Sequence, residues 1–129
     1  MPPSRDPSDP CEWLRRARSN LALAAQAPGQ PEILYEDLCF EAQQAAEKAL
    51  KAILVGRQRD FRKTHDVGEL LDLVTSEGVS VPADVNEARR LTPYAVGGRY
   101  PRFGDDVGVA ERVLRWAESV VASDAGERK

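Results

Sequence analysis

A basic segment, residues 57–63, contains side chains well suited to contacting a phosphate group. It contains Arg57, Arg59, Arg62 and Lys63, and Asp60 is its only acidic residue. Guanidinium and ammonium groups bind phosphate oxygens through charge-assisted hydrogen bonds. The segment therefore predicts a contact with a nucleotide or an RNA backbone. A solvated loop without a ligand explains the same pattern, and the sequence leaves both interpretations open.

A second candidate site lies in the glycine-rich segment 97–104. Arg99, Tyr100 and Arg102 lie there, just before a predicted helix. Glycines, arginines and a helix N-terminus together suit an anion, and a tyrosine ring can stack on an unpaired base. In the alternative interpretation, Arg99 pairs with a carboxylate of an earlier helix, such as Glu47, and Tyr100 packs on the helices.

His65 is the only histidine of the chain, so acid–base catalysis by an imidazole would depend on it. In RNA cleavage without a metal ion, an arginine stabilises the charge on the reacting phosphate and a histidine moves a proton. His65 is thus the one candidate for catalysis. Two alternatives remain: His65 contacts a ligand without catalysing a reaction, or its role is structural, because Thr64-His65-Asp66 begins a helix and Asp66 caps its N-terminus.

Lys48 belongs to segment 36–55, which carries the strongest helical pattern of the chain. Apolar residues form two stripes there at helical spacing, so partners should surround this helix on most sides. The long polar residues Gln43, Gln44, Lys48 and Lys51 must then lie at seams or at a surface that binds a partner. Lys48 contacts a phosphate if it points into a cleft. The competing interpretation is an intrahelical pair, Gln44–Lys48 or Glu47–Lys51.

The composition limits the class of protein. A chain of 129 residues forms one domain with a modest core, and a net charge of −3 argues against a dedicated non-specific DNA binder. Two cysteines without metal-ligand spacing predict buried, reduced thiols, with no metal and no cofactor. There is no apolar run of the ~20 residues that cross a bilayer and no signal-peptide pattern, so we predict a cytoplasmic protein with no membrane contact.

Helical periodicity predicts an all-α protein without strands. Capping boxes mark two helix starts, at Asp9 with Glu12 and at Asp66 with Glu69, and Pro93 should kink or end the fourth helix. The expected architecture is an up-and-down, mostly antiparallel bundle of four long helices plus one short helix, in a single domain from 9 to 122 between flexible tails at 1–8 and 123–129. The helices are predicted at about 9–27, 66–77, 82–95 and 105–122, and the second helix is predicted to start within 32–35 and end within 55–58.

Three segments of the chain stand out by their order and spacing: 39–52, then 63–71, and then 91–94 followed by 99–101. These segments resemble the motifs of HEPN domains. The resemblance extends from about Trp13 to Val121 and implies an up-and-down helical bundle that is usually a homodimer. It also implies frequent pairing with a separate minimal nucleotidyltransferase, and nucleotide binding.

Some HEPN proteins are RNA-cleaving toxins, in which an arginine near the start of the last long helix is followed shortly by a histidine. No histidine follows Arg99 or Arg102 in this chain. Arg59 and His65 have a suitable spacing, but they lie after the second helix, which is a different place. Many relatives also have histidine where this chain has Glu41. The resemblance therefore does not identify this chain as an enzyme.

Three functions follow, in order of preference. The first is a dimeric HEPN-like module that binds a nucleotide or RNA, partners a minimal nucleotidyltransferase, or does both, in a toxin–antitoxin-like system. The second is a metal-independent endoribonuclease toxin that uses His65. The third is a purely structural module whose surface binds other proteins.

Overall fold

The computed structural model describes residues 6–25, 32, 34–95 and 106–127. Every regular element within these residues is a helix, as the sequence predicts. No helix in this part of the chain is both long enough and apolar enough to cross a membrane. The elements are α1 (Pro10–Ala25), α2 (Tyr35–Gly56), α3 (Val67–Ser76), α4 (Ala83–Asn86), a 3-10 helix (Glu87–Ala95) and α5 (Asp106–Glu127).

Helix α2 is the central element, because α1, α3, α5 and the 3-10 helix all pack against it. Its alanines allow these neighbours to approach closely, and its larger apolar residues fill the core between them. A helix surrounded in this way is what the two apolar stripes predict. The fully buried residues of α2 include Ala42, Ala45, Ala46, Ala49, Leu50, Ile53 and Leu54.

Helices α1 and α2 are antiparallel. A Cβ atom built on Gly56, at the end of α2, would lie 3.6 Å from the ring of Pro10, at the start of α1. Farther along, the Asn20 amide of α1 donates a 2.7 Å hydrogen bond to Glu41, in the first half of α2. The seam between the two helices therefore runs along most of their length.

Helix α5 runs in the same direction as α2. The Cys39 thiol donates to the Asp106 carboxylate at 3.0 Å where both helices begin. At the other end, the Arg57 guanidinium pairs with the Asp124 carboxylate through bonds of 2.8 and 2.9 Å. The helix continues to Glu127, so residues 123–127 are helical where a flexible tail was expected.

Helix α3 also begins beside the middle of α2 and ends beside its C-terminus. The His65 ring, just before α3, lies 3.1 Å from Glu47, and the Glu77 carbonyl after α3 accepts a bond from Arg57. The connection 57–66 is long enough to run back along α2 before α3 starts. The helical bundle is confirmed; α1 is antiparallel to α2, whereas α3 and α5 run in the same direction as α2.

Both helix starts that the capping pattern predicts are confirmed. The Asp9 carboxylate accepts from the Cys11 N–H at 2.9 Å, and the Asp66 carboxylate accepts from the Glu69 N–H at 3.2 Å. A side-chain acceptor at this position satisfies a backbone donor that the helix leaves unpaired. In addition, the Thr64 hydroxyl accepts from the Asp66 N–H at 3.0 Å and fixes the approach to α3.

The chain leaves helix α2 through a left-handed Gln58 with φ 57°, two residues after Gly56. The Arg59 N–H donates to the Leu54 carbonyl at 2.9 Å, and the Gln58 N–H donates to Val55 at 3.1 Å. These two bonds form a Schellman motif, in which the left-handed residue is usually glycine. Glutamine at this position carries a conformational cost that glycine would avoid.

The predicted long fourth helix is replaced by two shorter elements. The four-residue helix α4 continues as a 3-10 helix over Glu87–Ala95. Pro93 has no N–H to donate and restricts the residue before it, so it opposes regular α-helical hydrogen bonding here. The kink that the sequence predicts at Pro93 thus becomes a tighter winding of the whole segment.

Candidate functional site

Lys48 lies in the seam between α1 and α2 and is half-buried. Its ammonium donates a 2.8 Å hydrogen bond to the Asn20 amide oxygen, and the same amide donates to Glu41 through its nitrogen. Burial lowers the pKa of Lys48 below its usual 10.5; the Glu47 and Glu41 charges oppose this shift, and the Arg16 charge adds to it. Among the described carboxylates, none forms a direct ion pair with this ammonium.

Glu47 and Lys51, which precede and follow Lys48 on the same helix, form a buried ion pair. The Lys51 ammonium donates to the Glu47 carboxylate at 2.8 Å, which confirms the predicted intrahelical pair. Rings from two other elements enclose it: Lys51 Nζ lies 5.8 Å from the Trp13 ring centroid and 5.7 Å from that of Phe61. Such contacts attract a cation to the aromatic faces.

His65 adds an exposed imidazole to the buried pair. Its Nδ1 lies 3.1 and 3.2 Å from the two carboxylate oxygens of Glu47, and 62% of its side chain is exposed. The Glu47 carboxylate therefore orients the imidazole and pairs with Lys51 at the same time. Asp66 caps α3, as the structural interpretation of this segment predicts.

Gln43 connects this cluster to the backbone of the α2–α3 connection. Its side-chain nitrogen donates to the His65 carbonyl at 3.2 Å, and the residue is fully buried. The Gln43 Oε1 atom is buried and has no hydrogen-bond partner among the described residues. Because the Gln43 side chain is buried and its nitrogen bonds to the His65 carbonyl, it holds the backbone of His65 beside α2.

The basic segment 57–63 is largely paired with acidic side chains. Arg59 contacts Glu77 at 3.5 Å, and Arg62 forms a bidentate pair with Glu69 at 2.6 to 3.0 Å. The bond to Glu69 raises the pKa of Arg62. Phosphate binding by either arginine would thus compete with a carboxylate already in place, whereas Lys63 is exposed and has no ion pair in the described structure.

The predicted site around Arg99, Tyr100 and Arg102 lies outside the described residues. Of the two cysteines, Cys39 is buried as predicted, whereas Cys11 is exposed; neither forms a disulfide. Within the described residues, no group of three or more His, Cys, Asp or Glu side chains could hold a metal ion. The polar cluster around Lys48 and His65 is therefore the best-defined candidate site.

Sequence reasoning did not identify Asn20, although it connects Lys48 to Glu41. A signal was present, because Asn20 interrupts the apolar face formed by Ala17, Leu21 and Ala24 of α1. A polar residue beside such a stripe usually bonds to a neighbouring helix. Its partner depends on how the two helices are rotated, which the spacing in one helix does not determine.

The HEPN domain family model matches residues 11–127 of this chain. The chain belongs to the HEPN family. The match includes all five α-helices apart from the first residue of α1. It also includes the whole seam around Lys48 and the segment around His65.

Two solved structures are similar to this HEPN chain. ST0689, described as an archaeal HEPN homologue, superposes with a TM-score of 0.69 at 26% identity, over 88% of this chain and 98% of that chain. TT1696 from Thermus thermophilus superposes with a TM-score of 0.58 at 34% identity, over 91% of this chain and 96% of that chain. The search of curated proteins found no significant match.

Proposed function

We propose that this HEPN chain is a binding module that takes the phosphate of a nucleotide or of RNA at the seam between α1 and α2. The environment of Lys48 carries this proposal. Its ammonium is half-buried, bonds to a neutral amide and pairs directly with none of the described carboxylates. A cation withdrawn from water is stabilised by a nearby anion, and a phosphate oxygen would supply that charge.

Charges of both signs surround Lys48. Burial is the main cause that lowers its pKa; the charges of Arg16 and Lys51 add to this shift, and those of Glu47 and Glu41 oppose it. Lys63 and His65 are exposed on the adjoining connection, where they can extend the contact along a phosphate backbone. Glu41 and Glu47 limit the net charge, which favours one or two phosphates over non-specific binding to long duplexes.

The proposed module is a cytoplasmic homodimer with a minimal nucleotidyltransferase as a second partner, in a toxin–antitoxin-like system. Membership of the HEPN family supports this part of the proposal, as does the exposure of large apolar side chains at the end of α1 and the start of α2. Leu23, Leu34 and Phe40 are 49%, 59% and 45% exposed. Apolar side chains of this size on a surface are suited to a protein contact.

Metal-independent RNA cleavage is a second candidate, because of the bond between His65 and Glu47. A carboxylate at Nδ1 holds the proton of a neutral imidazole on that nitrogen, so Nε2 is left to accept a proton. The exposure of the ring lets a substrate reach it. Loss of RNA cleavage in His65→Ala, at unchanged RNA affinity, would support this activity.

A direct test of the binding proposal measures affinity for a fluorescein-labelled single-stranded RNA and for ATP. The Lys48→Met variant should weaken at least one of them by about tenfold, the size of one charge-assisted hydrogen bond. Arg115→Met is the matched control, because it removes one positive charge from an exposed position on α5. Equal losses in both variants would show that only net charge matters and would contradict a site at Lys48.

A further inference from the structure

A pocket of about 470 Å³ lies where the N-terminal turn meets the end of α2. It is separate from the Lys48 seam and falls within the size range of small-molecule sites, about 300 to 1,000 Å³. Its walls come from the turn before α1 and from the Schellman motif and the residues that follow it. The residues that matter for its chemistry are Pro7, Pro10, Gln58, Arg59, Asp60 and Phe61.

Contacts behind the walls hold the pocket in shape. The Trp13 indole N–H donates to the Pro7 carbonyl at 2.8 Å, which fastens the N-terminal turn. The Phe61 ring packs edge-to-face on Trp13 with a centroid distance of 6.4 Å. Gln58 adopts its left-handed conformation in the floor of the pocket. A pocket whose walls are fixed before binding loses little entropy on binding a ligand.

The lining combines flat apolar surfaces with polar groups. Pro7, Pro10 and Phe61 offer surfaces on which a planar ring can pack. The side chains of Gln58 and Asp60 form no hydrogen bond or ion pair with the described residues, and Arg59 has only its 3.5 Å contact to Glu77. The pocket thus offers a carboxylate acceptor, an amide and a guanidinium to a planar ligand.

We propose that this pocket binds a guanine base, with Asp60 as the residue that selects it. Guanine carries a ring N–H and an amino group side by side, and one carboxylate can accept from both. Adenine, cytosine and uracil lack this pair of adjacent donors. The negative end of the α2 dipole lies beside the pocket and also favours a donor-rich edge. Arg59, which also lines the pocket, exchanges its 3.5 Å contact with Glu77 for the phosphate attached to the nucleoside.

This inference deepens the proposed nucleotide or RNA binding and rests on it, but it concerns a different set of side chains. The Lys48 seam takes phosphate without base preference, whereas the pocket takes a base. Guanosine 5′-monophosphate and a guanine-containing RNA share the same base chemistry. Titrations with the mononucleotide and with oligoguanylate and oligoadenylate RNAs distinguish these two sources of the base.

Calorimetry on the full chain with the four ribonucleoside monophosphates tests the pocket. We expect the guanine nucleotide to bind at least tenfold more tightly than the adenine nucleotide. Asp60→Asn should remove this preference, and Arg59→Gln should weaken the nucleotide but not guanosine. Asp37→Asn is the matched control, because Asp37 is an exposed carboxylate at the other end of α2. Equal affinities for all four bases, or an unchanged preference in Asp60→Asn, would overturn the proposal.

Tryptophan fluorescence reports where the ligand sits. In a Trp116→Phe protein, the emission comes from Trp13 alone, which packs against a pocket wall. A guanine nucleotide should change this emission, and Phe61→Leu should reduce the change. Should Trp116→Phe fail to fold, quenching in the wild-type chain gives the same comparison. Two results together would refute the pocket and leave the proposed function intact. RNA binding would be lost in Lys48→Met, and guanine nucleotide would not change the Trp13 emission.

Discussion

The ammonium of Lys48 lies 2.8 Å from the amide oxygen of Asn20, so a half-buried cation bonds to a neutral group. A few residues along the same helix, Lys51 has a carboxylate and two aromatic rings around it. Under the proposed function the Lys48 ammonium binds a phosphate, whereas the Lys51 ammonium is held by contacts within the fold. One helix thus carries a proposed binding lysine and a structural lysine.

The stability of the protein should respond to Lys48 in alkaline solution. Burial lowers the pKa of Lys48 in the folded state, so folding disfavours its charged form at neutral pH. The free energy of unfolding therefore rises with pH between the lowered pKa and 10.5, where the unfolded chain binds more protons. Lys48→Met should remove this rise and stabilise the protein at pH 7. Urea unfolding at several pH values measures it, with Lys63→Met as the exposed control.

Acid should destabilise the protein partly through Glu12. Hydrogen bonds from Arg15 lower the pKa of Glu12 to about 2, and Arg16 contributes. The stabilisation is fully present above the unfolded value of 4.5 and is lost as the pH falls through 2. In a plot of the free energy of unfolding against pH, Glu12→Gln should reduce the fall on the acid side and leave the alkaline side unchanged. A fall on the acid side identical to that of the wild type would contradict this role.

Replacing Glu47 should strongly destabilise the fold. Glu47→Gln leaves the Lys51 ammonium, 9% exposed, without its carboxylate, at an expected loss of about 3 kcal/mol. The double variant with Lys51→Met should recover much of that loss, because no buried charge remains. Glu111→Gln breaks a similar pair with Arg115 on the surface and should cost less than about 1 kcal/mol. Equal losses in the buried and exposed pairs would be inconsistent with a dry environment around Lys51.

Glycine at position 58 should stabilise the protein. Gln58 is left-handed at φ 57°, a conformation that costs a side-chain-bearing residue about 1 kcal/mol more than glycine. Gln58→Gly should therefore raise the midpoint of thermal unfolding. Gly78→Ala is the reverse experiment, because Gly78 has φ 82° and nothing lies within 4 Å of an added Cβ. A lower midpoint of thermal unfolding in Gly78→Ala would reflect backbone conformation alone.

Local chemistry in the sequence predicted α1, α2 and α3 well. The side chains of Asp9 and Asp66 cap their helices from within a few residues, so their roles can be read without any tertiary contact. The 3-10 winding around Pro93 was not predictable to the same degree. A proline shows where regular α-helix is unfavourable, but not which alternative conformation the surrounding packing selects.

The candidate site was only partly predictable for a related reason. Lys48 was identified from its polar position on a mostly buried helix, and the Glu47–Lys51 pair from its spacing. The contacts of Lys48 with Asn20 and of Glu47 with His65 join different elements. They depend on helix rotation and on the return path of the α2–α3 connection, which periodicity does not encode.

The two cysteines differ in a way that makes this chain convenient for site-specific labelling. Cys39 is buried and donates its thiol hydrogen to Asp106, whereas Cys11 is exposed near the start of α1. A maleimide dye should therefore react at one position in the native protein without any cysteine being removed. That position is two residues from Trp13 in the first turn of α1, so the dye would quench the indole emission and mark the side of the molecule that bears the N-terminal turn.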